Sequence, residues 1–302
     1  MPDDFLIGID LGGTKIAAAA FGIDGKQRGK VVRLPTMARM QPAVTLTNMK
    51  RVVKQAKLSA GVAGAPKAVG MGSSGPLDQK NRVLHDRDSL PNLVGFNIGK
   101  FSLEEFGAPL YLENDAACFA LGEAIHGAGK SKEIVLGVTL GTGFGCGLTI
   151  GSKIYTGATN NAGEVAYCRV GGSDFDHACS GHGVVRQYRR NVESRPGEGL
   201  TAKEVGDLAE QGDPAALRAW ETYGRNVGTA IATVCCVVDP TTVVLGGSIS
   251  QRLSLFQDPL MESARGILPT TSRESFRLEL SKLGAAAGLT GAAEYARQQV
   301  SD

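Results

Sequence analysis

The chain is short of surplus charge. Its 302 residues set 32 Lys and Arg against 30 Asp and Glu, a net of +2. So even a balance gives no electrostatic case for binding nucleic acid or a membrane surface. Long apolar runs are also missing. The most apolar stretch, 227–238, is too short to cross a bilayer. No secretory leader is expected, since the chain opens Met1-Pro2-Asp3-Asp4-Phe5, acidic where a secretory signal would be basic. The six cysteines, at 118, 146, 168, 179, 235 and 236, include an adjacent pair and lack the spacing of a small disulfide scaffold. Reduced thiols and a cytoplasmic location are therefore expected. No Walker A pattern occurs. The run from Gly141 fails as a dinucleotide fingerprint because Cys146 stands where the third glycine would be needed.

What is present in excess is glycine, at 41 residues, on a background of 42% hydrophobic and 21% charged residues that is ordinary for a globular protein. The length suits two domains or one large one. Many of the glycines cluster in turns. The first such turn follows Phe5-Leu6-Ile7-Gly8-Ile9-Asp10-Leu11, an apolar strand ending on a carboxylate. Gly12-Gly13-Thr14-Lys15 then turns the chain, and Ile16 to Phe21 returns. This predicts a β-hairpin with a polar tip. Two glycines let backbone N–H groups approach an anion, Thr14 adds a hydroxyl, Lys15 a positive charge, and Asp10 a carboxylate able to hold Mg²⁺ through water. An ordinary hairpin turn is the alternative for this stretch taken alone. However, Leu136-Gly137-Val138-Thr139-Leu140-Gly141-Thr142-Gly143 repeats the pattern, with Thr139 in place of the carboxylate. One device used twice points to two related domains whose turns grip a polyphosphate from both sides.

Along the chain, a third strand is expected over 30–34 and an amphipathic helix over 44–60, whose basic face reads as solvated surface. Ala68 to Gly72 reads as a short buried strand leading to Gly75-Pro76-Leu77-Asp78. Leu110 to Leu112 is a further strand, and a helix follows from Ala116 to His126. Asp115 at its start is the residue type that caps a helix. Thr201-Ala202-Lys203-Glu204 is a capping box, and Asp213-Pro214 opens a long core helix in which Trp220 and Tyr223 are core or dimer-interface residues. Val243 to Leu245 is a strand turning at Gly246-Gly247. A last strand near 276–280 and a helix over 289–299 close the chain.

Taken together, Asp10-Leu11-Gly12-Gly13-Thr14-Lys15, Glu113-Asn114-Asp115-Ala116, the glycine run 141–147, Gly163-Glu164 and Val243-Val244-Leu245-Gly246-Gly247 resemble the ROK family (repressors, open reading frames and kinases) of sugar kinases. They occur in that family's order and spacing over nearly the whole chain. The resemblance implies an α/β fold of the two-domain actin-like ATPase type (ribonuclease H-like), with an active-site cleft between domains. The expected domains are 1–114 with 285–302, and 115–284. It implies ATP and Mg²⁺, with Asp10, Gly12, Gly13, Thr14, Lys15, Thr139, Gly141, Thr142, Gly143, Gly246 and Gly247 at the nucleotide. Asp115 is implied as catalytic base, and Asn92, Asn114, Asp115, Glu164, Tyr167 and Asp176 as sugar contacts. For Asn92 a turn residue after proline is the alternative.

The chain departs from the family pattern where a zinc-binding His and a cysteine cluster are usual. Tyr167 replaces the His, the cluster is absent, and Asp176 stands where the family has a sugar-binding Glu. Zinc is not expected. Cys168, His177, Cys179 and His182 are four possible ligands within fifteen residues, in no familiar spacing, with a polar loop and one packed cysteine as the alternative. The implied activity is ATP-dependent phosphorylation of a hexose, glucose first. Fructose, mannose or an N-acetylhexosamine as acceptor, polyphosphate as donor, and a non-catalytic sugar sensor or regulator are the alternatives. With the hairpin beginning at residue 5, no DNA-binding module is expected. A homodimer is the family's usual minimum.

Overall fold

The computed structural model describes residues 4–170, 172–192 and 199–301. The chain divides into two compact units, one of 1–130, 152–154 and 282–302, the other of 131–151 and 155–281.

The first unit is built on the N-terminal hairpin. Strand β1 (Phe5–Leu11) pairs antiparallel with β2 (Lys15–Gly22), which pairs with β3 (Gln27–Pro35). On its other side β1 pairs parallel with β4 (Ala68–Ser73), and β4 with β5 (Leu110–Asn114). The third strand is longer than the expected 30–34. β1 is apolar at nearly every position because both of its faces are covered. Ile7, Ile9 and Leu11 join Met49, Val52 and Val53 of α1 (Pro42–Ala60), whereas Leu6 joins Leu289, Ala293 and Ala296. α1 starts with Pro42 in its first turn and ends at Gly61 in the left-handed region (φ 67°), the usual pairing of a proline start with a glycine stop.

A short helix α2 (Ile98–Phe106) precedes β5, and the closing helix Ala287–Ser301 packs in this unit against β1, β4 and α3 (Asp115–His126). Small residues permit the contact: a side chain at Gly291 would run into the carbonyl of Cys118, and one at Gly70 into that of Ala292. α3 therefore belongs with the first unit, which runs on to Lys130 and past residue 114.

The second unit repeats the arrangement. β6 (Ile134–Leu140) and β7 (Phe144–Ile150) form the antiparallel hairpin, then β8 (Thr242–Gly246) lies parallel to β6 and β9 (Leu278–Leu280) parallel to β8. Its core is organised by the long helix Pro214–Val238, capped by Asp213, whose side chain accepts from the Ala216 N–H at 2.7 Å. Trp220 and Tyr223 on this helix are fully buried and pack with Phe256, ring centroids 5.2–5.7 Å apart. The capping box at Thr201 and Glu204 is present as the spacing predicts. No helix among the described residues is long and apolar enough to cross a membrane.

Candidate active site

In the first unit the chemistry gathers where β1, β4 and β5 end. These are the carboxyl ends of parallel neighbours, the place where open α/β sheets bind ligands. The turn after β1 is closed by the Gly12 N–H donating to the Lys15 carbonyl (3.1 Å), and its outer limb by the Thr36 N–H donating to Thr14 (3.0 Å). The Thr36 hydroxyl donates to the Gly12 carbonyl. Asp10, the penultimate residue of β1, is pushed above the ordinary carboxyl range by burial, and the nearby charges of Lys15 and Arg33 pull against that shift. Arg33 is a residue the sequence reading missed. It reaches Asp10 only through register: Asp10 lies opposite Ala17, and Ala17 opposite Arg33.

β5 ends in Glu113-Asn114, and α3 begins at Asp115. The cap of α3 is Asn114 and not Asp115. The Asn114 side-chain oxygen accepts from the N–H groups of Ala116 (2.8 Å) and Ala117 (3.2 Å). Asp115 is the first helical residue, and its Oδ1 accepts from the Ala116 N–H (2.8 Å), which orients the carboxylate at a helix N-terminus. Asp10, Glu113 and Asp115 all lie near enough to the buried thiol of Cys118 to act on it electrostatically. Burial pushes that thiol well up, and all three carboxylates add to the shift.

Asn92 sits on the short turn Pro91–Leu93. Its amide nitrogen donates to Thr45 Oγ1 (2.8 Å) and the Met40 carbonyl (3.1 Å), and lies 3.4 Å from the Met37 carbonyl. Its Oδ1 is buried without a hydrogen-bond partner. Asp86 is a second internal brace. One of its oxygens accepts from the N–H groups of Asp88 and Ser89, and the other from the Ser74 hydroxyl. The Ser89 backbone in turn lies against Gly13, where a Cβ would come within 2.7 Å of the Ser89 carbonyl oxygen.

In the second unit the turn between β6 and β7 is closed by the Gly141 N–H donating to the Gly143 carbonyl (3.0 Å). Thr139 lies beside Gly246 in the parallel pairing of β6 with β8, so the expected phosphate and adenosine segments are neighbours. Gly247 has φ 86°, and a Cβ there would overlap the Leu140 backbone. Its glycine is thus required inside the protein. Glu164 follows Gly163, which has φ 91° and lies against the Cys146 carbonyl of β7. Glu164 is half-buried, and burial pushes its carboxyl up. Tyr167 is 75% exposed. Asp176 accepts a backbone hydrogen bond from Phe144, 2.8 Å away.

The four candidate zinc ligands do not converge. Cys179 is buried, Cys168 is exposed, and His177 Nδ1 pairs with Asp174 at 2.7 Å. Among the described residues no group of three His, Cys, Asp or Glu is placed to hold a metal.

Whether the turns fit a nucleotide is tested by what their glycines are for. A Cβ on Gly141 would meet nothing within 4 Å, and one on Gly12 would meet only the Lys15 carbonyl oxygen at 3.6 Å. Neither has the positive φ that demands glycine. Neither packing nor backbone geometry requires glycine there. Beside each there is open space, and the backbone N–H groups of such glycine turns can bind phosphate oxygens. The carboxylate of Asp10 is an oxygen donor of the type that holds a hard divalent ion.

The family model described as "ROK family" matches residues 6–299. The ROK hexokinase structure from Thermus thermophilus superposes with a TM-score of 0.85 at 32% identity, covering 99% of this chain and 99% of that one. A ROK family glucokinase from Streptomyces griseus, solved with glucose and AMPPNP, superposes with a TM-score of 0.80 at 28% identity, covering 97% of this chain and 99% of that one. The N-acetyl-D-glucosamine kinase of Salmonella paratyphi C is 29% identical over 95% of this chain and 97% of its own.

Proposed function

The chain belongs to the ROK family and has its actin-like ATPase fold, and from that premise we propose that it is an ATP-dependent kinase of a hexose, with glucose as acceptor. The observation that carries the reading is the Glu113-Asn114-Asp115 segment. It sets a carboxylate, oriented by its own helix N-terminus, at the same carboxyl edge of the sheet as Asp10 and the glycine turn, with β4 between the two strands.

Asp115 accepts the proton of the sugar hydroxyl as that oxygen bonds to the γ-phosphorus and ADP leaves. The transition state of such transfers is loose, so positioning and charge neutralisation supply most of the acceleration. Lys15 and the N–H groups of the two glycine turns stabilise the charge on the phosphates. Asp10 would hold Mg²⁺, which when bound neutralises further phosphate charge. Asn114 and Glu164 are assigned to the sugar hydroxyls. Burial of Glu164 makes a hydrogen-bonded partner worth more there than in water. ATP is favoured over polyphosphate as donor by the nucleotide analogue in the Streptomyces griseus relative. A glucokinase and an N-acetyl-D-glucosamine kinase stand at similar identity, so the acceptor panel includes both sugars.

The test is ADP release with Mg-ATP against glucose, mannose, fructose, N-acetylglucosamine and N-acetylmannosamine, for the wild type and Asp115→Asn. Turnover on glucose that falls at least ~10²-fold in the variant is expected, the lower end of general-base effects. Turnover on a different sugar alone replaces the acceptor. Near-normal turnover in Asp115→Asn removes that residue from its role.

A further inference from the structure

Two helices meet behind the second glycine turn, α4 (Phe175–Cys179) and α5 (Gly181–Asn191). They occupy the stretch in which this chain departs from the cysteine cluster usual in its family. Both hold the turn by its backbone. Asp176 of α4 accepts the Phe144 N–H at 2.8 Å, and the same Oδ1 lies 3.1 Å from where a Cβ on Gly143 would sit. Its neighbour Phe175 meets the Phe144 ring edge to face, centroids 6.0 Å apart. From the other side the Gly181 N–H donates to the Gly141 carbonyl at 2.8 Å. The corner itself is fastened to the core: the hydroxyl of the buried Tyr223 donates to the Cys179 carbonyl at 2.8 Å.

The consequence is a turn fixed at both limbs. Its N–H groups bind phosphate well only if they already point outward before phosphate arrives. A carboxylate so close to a phosphate turn would repel the ligand if it faced it. Engaged with the Phe144 N–H and set against Gly143, Asp176 instead acts as a strut, through a charge-assisted hydrogen bond stronger than a neutral one.

Resting on the kinase reading above, we propose that Asp176 is a positioning residue of the nucleotide-phosphate turn and not a contact of the acceptor sugar. Gly143, which leaves room for the strut, and Gly181, which fixes the opposite limb, belong to the same device.

The experiment compares Asp176→Ala and Asp176→Asn with the wild type. Calorimetry measures AMPPNP and sugar binding separately, and steady-state kinetics measures KM for ATP and for the sugar. Asp176→Ala is expected to weaken AMPPNP binding and raise the ATP KM about tenfold, the scale of a lost hydrogen bond to a charged group. Sugar affinity without nucleotide should be unchanged. Asp176→Asn keeps an oxygen acceptor and should restore nucleotide binding to within about threefold. If Asp176→Ala does not fold, Asp176→Asn decides alone. Weaker AMPPNP binding with unchanged sugar binding supports the proposal, whereas AMPPNP binding by Asp176→Ala like that of the wild type, or selective loss of sugar binding in either variant, overturns it. A wild type that binds no nucleotide also overturns it. A wild type that binds AMPPNP yet phosphorylates no sugar defeats the kinase reading only, and the nucleotide comparison still stands.

Discussion

At the scale of single residues, the glycines expected at the nucleotide separate into two kinds, and the separation is testable. Gly12 and Gly141 have room for a methyl group and ordinary φ. Gly247 has neither. Gly12→Ala and Gly141→Ala should leave stability within about 1 kcal/mol of the wild type, because the unfolded chain loses freedom and the native state meets no clash. Both should weaken AMPPNP binding at least ~tenfold by occupying the phosphate space. Gly247→Ala should destabilise the fold by about 1–3 kcal/mol through strain at its positive φ. Thermal melts with and without AMPPNP read all three. A Gly12→Ala protein that binds the analogue like the wild type would remove that turn from the nucleotide site.

Glu113 yields a second residue-scale prediction, in pH. It is 3% exposed. Burial raises its carboxyl above the ordinary range, against the opposing hydrogen bonds from the Asn114 N–H and the Gln79 amide. Between its unfolded and native pKa values the folded protein keeps a proton that the unfolded chain has lost. Stability from this group therefore falls as pH rises through that window, and the deficit is complete above the native value. Glu113→Gln has no such charge to bury. Its melting temperature relative to the wild type should climb as pH rises above the ordinary carboxyl range. A difference that stays flat would mean that Glu113 is not burying its charge.

At the scale of elements, a buried relay ties the short turn at 91–93 to the first glycine turn. Asn92 donates to Thr45, and Thr45 Oγ1 donates to the Thr36 carbonyl at 2.7 Å. Thr36 holds Gly12 with its hydroxyl and Thr14 with its N–H. Thr36 and Thr45 are both fully buried. The relay joins the two turns through buried hydrogen bonds, which are stronger at low local dielectric than in water. Asn92→Ala should therefore speed amide hydrogen exchange at 12–15 well before global unfolding, and weaken nucleotide binding more than sugar binding. Unchanged exchange together with a selective loss of sugar binding would return Asn92 to the sugar-contact role that the family resemblance implied. The two hairpins are thus braced by comparable means, one through Thr36 and one through Asp176.

At the scale of the whole molecule, much was legible in sequence because it is written in local pattern. The strand–turn–strand device shows as two matching runs, since an apolar strand, a glycine turn and a return strand are all short-range. Long helices showed through spacing, and Asp213-Pro214 and Thr201 to Glu204 marked true helix starts. Helix edges were less legible. Asn114 and Asp115 are both capping types, and only backbone geometry made Asn114 the cap. The sequence by itself thus determined the repeated hairpin, the run of motifs that places the chain in its family, and the chemical types available at each turn. The tertiary structure alone decided which polar groups brace and which are presented. Asp176 and Phe144 are 32 positions apart, and Asn92 and Thr45 are 47 apart. A hydrogen bond depends on distance and angle between groups that folding brings together, and no periodicity along the chain encodes that meeting.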